Sequence, residues 1–232
     1  IIHDSLTHYL LLNNLISDRQ HGFIKTRSTL TNLLSSIRHW ISSLDSFKST
    51  DVIYIDFAKA FDSVSHFKLL HKLKSYNILG KLHDWIAAWL TGRTQSVRTN
   101  TVSSSFKSVL SGILQGSVLG PLLFLIYIND LCDNISPDAH PTLFADDFKL
   151  FSDELPISVE FSTSHVFSPL LQNSLDALHR WSQLWQLSIS IPKCSILSIS
   201  NFLSPKPRLY TLCNTNLPQT HSCSDLGVII DD

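Results

Sequence analysis

The sequence predicts an α+β fold, an antiparallel sheet backed by helices, and three stretches carry that expectation. Beyond Ser28, Leu30, Leu33, Leu34, Ile37, Ile41 and Leu44 recur at three-and-four spacing, the period of an amphipathic helix. Val52-Ile53-Tyr54-Ile55 is short, β-branched and aromatic and stops at Asp56, the pattern of a buried strand ending in a carboxylate. Leu143-Phe144-Ala145 and Phe148-Lys149-Leu150-Phe151 flank Asp146-Asp147, two apolar runs hinged on a pair of acids, which reads as a tight hairpin. With 232 residues, 44% hydrophobic and 16% charged, the chain can bury a substantial core and is not of disordered composition.

The remaining elements follow in order. Thr26 or Ser28 is placed to cap the first helix. After the strand, Val64, Phe67, Leu70, Leu73 and Tyr76 define one face of a second helix, Lys68, Lys72 and Lys74 hold others, and Asn77 and Gly80 stop it. Leu82, Trp85, Ile86, Trp89 and Leu90 are in register for a third helix ending near Gly92. Residues 96–109 alternate weakly around Ser103-Ser104-Ser105 and suit a hairpin. Ser111-Gly112 and residues 116–121 are rich in turn signals and lead into 122–128, apolar on every side. Pro121 favours a buried helix there, although periodicity alone leaves a strand open. Residues 152–169, Ser-rich with two prolines, read as a loop or loosely held insertion. Leu171, Leu175, Leu178, Trp181 and Trp185 mark another amphipathic helix. Leu187, Ile189, Ile191, Ile196 and Ile199 are strand candidates, 201–220 a proline-punctuated connector, and 226–230 a last short strand.

Eighteen Lys and Arg against 19 Asp and Glu give a net charge of −1, so a charged partner has to be met by local patches. Lys68, Lys72 and Lys74, and Arg93, Arg98 and Lys107 with Trp85 and Trp89 nearby in sequence, are the basic candidates. Lysines on an amphipathic helix are ordinarily its solvated face. Cys132, Cys194, Cys213 and Cys223 are scattered and form no C-x-x-C pair, which points to reduced, intracellular thiols rather than a disulfide framework or zinc ribbon. The longest nearly apolar run, 118–128, is about half of the roughly 20 residues a membrane span needs, so no transmembrane helix is expected. The opening at Ile1, without a basic n-region or cleavage site, reads as an internal cut of something longer.

Asp56 ends one strand and Asp146 sits at a hairpin tip 90 residues later, so rigid strands can bring both carboxylates to one sheet edge. Mg²⁺ takes oxygen ligands, commonly one or two carboxylates with phosphates and water, and the pattern therefore points to a phosphate-bearing substrate. Two such ions about 3.5–4 Å apart support in-line phosphoryl displacement. Neighbouring strand residues face opposite ways, so Asp146 and Asp56 are expected as primary ligands and Asp147 as secondary. Taken alone, an Asp-Asp pair between apolar runs is more often a solvated turn, and Asp62 reads as a helix-start residue facing backbone donors.

The residues around these acids resemble a known family. Residues 54–66, Tyr-Ile-Asp-Phe-Ala-Lys-Ala-Phe-Asp-Ser-Val-Ser-His, look like motif A of non-LTR (LINE-type) retrotransposon reverse transcriptases. Residues 111–124, Ser-Gly-Ile-Leu-Gln-Gly-Ser-Val-Leu-Gly-Pro-Leu-Leu-Phe, resemble their motif B, and Phe144-Ala145-Asp146-Asp147 their motif C. Gln20-His21-Gly22-Phe23 with Arg27-Ser28-Thr29 is similar to a fingers motif, Trp181, Trp185 and Lys193-Cys194 to motif D, and Leu226-Gly227-Val228 to the motif after it. Six blocks in the family's order span nearly the whole chain.

The resemblance implies a right-hand polymerase palm with part of the fingers: fingers over 1–50, palm over 51–76, a fingers return over 77–108 and palm again over 109–232. No thumb, endonuclease or zinc knuckle is recognisable after Asp232. It implies that Asp56, Asp146 and Asp147, helped by the carbonyl of Phe57, hold two Mg²⁺ ions, with Mn²⁺ as an alternative. Phe61 becomes the steric gate under the incoming sugar, and Gln115 and Gly116 line the nascent base pair. From sequence alone, a core aromatic and an ordinary Gly turn are the preferred readings of those positions. Lys193 would protonate the departing pyrophosphate or offset its charge, against the alternative of a solvated lysine. Ser190-Ile191-Pro192 stands where the family commonly has an Asn before that lysine. The implied reaction is RNA-directed DNA synthesis, with an RNA template, a DNA primer and dNTPs as partners, no membrane, and an intracellular, nuclear setting. The rival is an inactive truncated retroelement remnant that at most binds nucleic acid.

Overall fold

The computed structural model describes residues 1–154, 168–201 and 208–232. The chain runs through helix α1 (Ile2–Leu12) and helix α2 (Thr29–Asp45) into strand β1 (Ser49–Ile55). The short α3 (Ala60–Ser63), α4 (His66–Ser75) and α5 (Gly80–Leu90) follow, then the hairpin strands β2 (Thr94–Gln95), β3 (Arg98–Thr99), β4 (Val102–Ser103) and β5 (Lys107–Ser108). Helix α6 (Gly120–Ile128) and a 3₁₀ turn (Asn129–Asn134) lead to β6 (His140–Phe144) and β7 (Asp147–Glu154). Helix α7 (Pro169–Trp185), a second 3₁₀ turn (Ile191–Lys193) and β8 (Ser195–Ile199) come next. Two short hairpins close the chain, β9 (Thr211–Leu212) with β10 (Thr215–Asn216), and β11 (Ser222–Asp225) with β12 (Val228–Asp231).

The central sheet is antiparallel in the order β6-β7-β1-β8, so the α+β expectation holds. Strand β1 lies between two partners, with Ile55 opposite Phe148 and Val52 opposite both Phe151 and Leu197. Alternation sorts its side chains between two cores. Ile53 and Ile55 enter the main one with Leu123, Phe124, Leu175 and Trp181, whereas Val52 joins Trp40, Phe151 and Leu197 on the other face. The apolar run 122–128 is a helix, buried at every position, as Pro121 in its first turn favours.

Several local expectations are corrected. Ser28 caps α2 as expected, its side chain accepting from the Thr31 N–H, but the helix is rotated. It turns Asn32, Leu33, Ser36 and Trp40 toward the sheet and leaves Leu30, Leu34 and Ile41 more than half exposed. Asn32 donates to the Leu143 carbonyl at 3.1 Å, and Trp40 meets Phe151 edge-on at 5.8 Å; these contacts outweigh the aliphatic stripe. Phe67 is likewise exposed, and Lys72, expected on a solvated face, is buried. Of 187–191 only Ile189 pairs, through a single bridge to Phe57. Leu226 and Gly227 form the turn between β11 and β12 rather than a strand. The expected connector contains the β9–β10 hairpin. The insertion at 152–169 and that connector fall partly outside the described residues.

Candidate active site

The β1–β7 ladder ends at Ile55 opposite Phe148, which sets the next residues, Asp56 and Asp147, side by side at the same sheet end. Alternation gives both the face shared by Tyr54 and Lys149. Asp146 occupies the two-residue turn with Ala145, whose φ is +56°, between Phe144 and Asp147. A cleft of about 160 Å³ opens here, and Asp56, Asp147, Lys149, Lys193 and Asp225 line it. Asp147, expected to be secondary, therefore shares this wall with Asp56, while Asp146 sits at the tip.

Burial raises the pKa of Asp146, with the charge of Asp56 adding to it and Lys193 opposing. Asp147 is raised by burial and by the charges of Asp146, Asp56 and Asp225. The three carboxylates thus feel one another's charge. Among the described residues no three His, Cys, Asp or Glu side chains are gathered closely enough to hold a metal ion. The donor set is nevertheless one a hard divalent cation takes: carboxylate oxygens, including Asp56 Oδ1, which is buried with no hydrogen-bond partner.

Lys193 ends the second 3₁₀ turn, and its Nζ lies 3.4 Å from Asp56 Oδ2, mostly in solvent. Ala58 N–H donates to Ser188 O and Ser190 N–H to Asp56 O, both at 2.8 Å. In that pattern the peptide groups of Phe57 face away from 188–190 and toward the β7 side of β1. The Phe57 ring is buried, 6.3 Å from Trp181.

Phe61 and the 111–119 loop form a second part of the site. The Phe61 ring is half-buried, stacked on Phe124 at 4.2 Å and meeting Phe23 edge-on at 6.3 Å. Gly112 N–H donates to Val64 O and Ile113 N–H to Phe61 O, which stitches the loop to α3. Gln115, an exposed residue, donates from Nε2 to Asp62 Oδ1 at 3.0 Å. Asp62, read as a helix-start residue facing backbone donors, is thus the partner of a candidate site residue. No sequence spacing announces that contact across 53 positions. Gly116 has φ +77° in an exposed stretch with open space where a Cβ would lie, so its glycine answers a backbone conformation rather than crowding.

The basic candidates divide. Lys72 is buried against Trp185, its Nζ 3.8 Å from the ring centroid, and pairs with Asp130 at 2.7 Å. It is a core cation and not a nucleic-acid contact. Arg98 on β3 and Lys107 on β5 are exposed, and Arg93 lies 6.0 Å over Trp89. Behind the acids, Lys149 and Asp225 form a buried ion pair at 2.6 Å that ties β11 to β7. Nothing in the sequence pattern announces this pair, nor that Gln20 of the fingers motif meets Ala145 through its amide.

A sheet that delivers acids from two strands and a hairpin tip, backed by helices, belongs to the polymerase palms, and comparison with known proteins agrees. The chain belongs to the reverse transcriptase (RNA-dependent DNA polymerase) family, which matches residues 1–230. It is 29% identical over 214 residues to the RNA-directed DNA polymerase from mobile element jockey of Drosophila funebris, covering 91% of this chain and 23% of that protein. It is 25% identical over 215 residues to the probable RNA-directed DNA polymerase from transposon X-element of Drosophila melanogaster, covering 92% and 23%. The motif resemblance to LINE-type elements is therefore borne out, and the chain spans about a quarter of the length of these curated relatives. Among solved structures, telomerase from Candida albicans in complex with a TWJ fragment of telomeric RNA aligns over 99% of this chain and 36% of its own. The TM-score is 0.66 at 11% identity. Apo telomerase from Candida tropicalis gives a TM-score of 0.62 at 10% identity over 100% of this chain and 40% of its own. At such identities the likeness is one of fold, the right-hand palm with part of the fingers. Among the described residues no helix is long and apolar enough to cross a membrane.

Proposed function

We propose that this chain carries the polymerising site of an RNA-directed DNA polymerase, extending the 3′ hydroxyl of a DNA primer on an RNA template with dNTPs and releasing pyrophosphate. The observation that carries the reading is Asp56, with its buried, unpartnered Oδ1, beside Asp147 and the Asp146 turn. The names of the relatives, RNA-directed DNA polymerases of mobile elements, support it. Asp56, Asp146, Asp147 and the Phe57 carbonyl would hold two Mg²⁺ ions, or Mn²⁺, which when bound activate the attacking hydroxyl and stabilise the leaving oxygen. Lys193, 3.4 Å from Asp56 and largely in solvent, can offset pyrophosphate charge or hand it a proton. The free edge of Phe61, its ring held from behind by Phe124, would exclude a 2′ hydroxyl, and Gln115 and Gly116 would face the nascent base pair.

In this reading residues 1–50 and 77–108 belong to the fingers, 51–76 and 109–232 to the palm, and the exposed Arg98 and Lys107 meet phosphate. The setting is intracellular and nuclear, where such a template and primer coexist. Primer extension on an RNA template with Mg²⁺ and dNTPs tests the assignment. Asp146→Asn is expected to lower incorporation roughly 100-fold or more, since metal-borne stabilisation amounts to several kcal/mol. Equal incorporation by both proteins would falsify the catalytic role of the turn.

A further inference from the structure

We propose that Gln20 is a positioning residue for the acid-bearing turn: its side-chain amide fixes the backbone of Ala145, and with it the directions in which Asp146 and Asp147 leave the hairpin. The inference rests on the polymerase reading above and adds a residue to which that reading assigned no role.

Gln20 is 2% exposed, so its amide has to be satisfied by protein. Its Oε1 accepts from Ala145 N–H at 2.9 Å and from Gly22 N–H at 2.7 Å, while its Nε2 donates to Ala145 O at 3.2 Å. One neutral side chain thereby grips both polar groups of a single peptide residue. That residue needs a grip. Ala145 has φ +56° at the first turn position and Asp146 does not share the positive φ, a pattern for which hairpins ordinarily use glycine first. An alanine there is held by its surroundings rather than by preference.

The grip is itself anchored. His21 N–H donates to Leu143 O at 2.8 Å and Leu143 N–H to Arg19 O at 2.9 Å, placing Gln20 along the open edge of β6. Arg27 Nη1 donates to the carbonyls of Gln20 and Ser17, and Asn32 Nδ2 to that of Leu143. A Cβ on Gly22 would stand 2.3 Å from Ala145 N, so the two backbones are as close as they can come. The requirement is chemically narrow. Glu keeps the acceptor, lacks the donor for Ala145 O and adds an anion beside three carboxylates; Asn is one methylene short.

The test combines amide hydrogen exchange with Mn²⁺ titration followed by the paramagnetic signal of the free ion, on the whole chain. The Ala145 amide is expected to be protected in the unmodified protein and to exchange about tenfold faster or more in Gln20→Leu. Val52 and Phe151 amides in the sheet interior should be unchanged, showing that the variant is folded. Mn²⁺ affinity should fall about tenfold in Gln20→Leu, as for loss of an outer support of a metal site, and less in Gln20→Glu. Asp146→Asn should keep Ala145 protected and lose Mn²⁺. An unprotected Ala145 in the unmodified chain overturns the inference, as does Mn²⁺ affinity unaltered by Gln20→Leu. Mn²⁺ binding that is absent from the outset, or untouched by Asp146→Asn, counts instead against the polymerase reading, and the exchange data still decide whether Gln20 holds the turn.

Discussion

Lys72 shows how far a single side chain can depart from its sequence neighbourhood. Burial lowers its pKa to about 8, with Asp130 pulling the other way. A lysine whose folded pKa lies below its unfolded one binds fewer protons folded than unfolded between those values. Stability from this group therefore rises as pH climbs from about 8 toward the ordinary lysine range. Urea unfolding at pH 7.5 and pH 10 should show the unmodified chain gaining on the order of 1–3 kcal/mol relative to Lys72→Met. A flat difference across that range would show that the ring and Asp130 contacts compensate burial in full. Periodicity could not place this lysine. It flanks Leu69 and Leu73 on α4, and the groups that accept it, Asp130 and Trp185, lie on elements distant in sequence. The Gln115–Asp62 pair was hidden for the same reason, whereas the abrupt change from apolar to acidic marked the positions of Asp56 and of the Asp146-Asp147 turn, and the motif resemblance set them apart from ordinary solvated turns.

Among the elements, α2 and α6 make opposite cases. Helix α6 is buried on all sides, so its apolar run had no face to misjudge and only its type was open. Leu123→Ala there should cost about 2–5 kcal/mol in chemical denaturation, as a core truncation leaving a cavity. Leu30→Ala on α2, at a position 61% exposed, should stay within about 0.5 kcal/mol. Comparable losses at the two sites would mean that α2 is turned the other way. Its cap and length were readable at Ser28; its orientation was not, because Asn32 and Ser36 are buried through hydrogen bonds that a hydrophobic period does not register. The stretch at 187–191 alternated like a strand, yet only Ile189 found a partner before Pro192 turned the chain.

At the scale of the whole molecule, distant segments are joined through buried polar groups as much as through the core. Asp51, fully buried on β1, accepts from Tyr210 at 2.6 Å and Ser198 at 2.8 Å, and Arg208 Nε lies 3.2 Å from it. Arg208→Leu strands that carboxylate and should destabilise by about 3–5 kcal/mol in urea unfolding. A loss below about 1 kcal/mol would mean that Tyr210 and Ser198 suffice. The strand order β6-β7-β1-β8 was not deducible from local patterns, which identify strands without saying which ones pair. One outcome of this order concerns how the acids are mounted. Because β1 and β7 are each zipped on both flanks, Asp56 and Asp147 stand at the ends of inner rails of the sheet, whereas Asp146 rides on the 145–146 bend, clasped by the amide of Gln20.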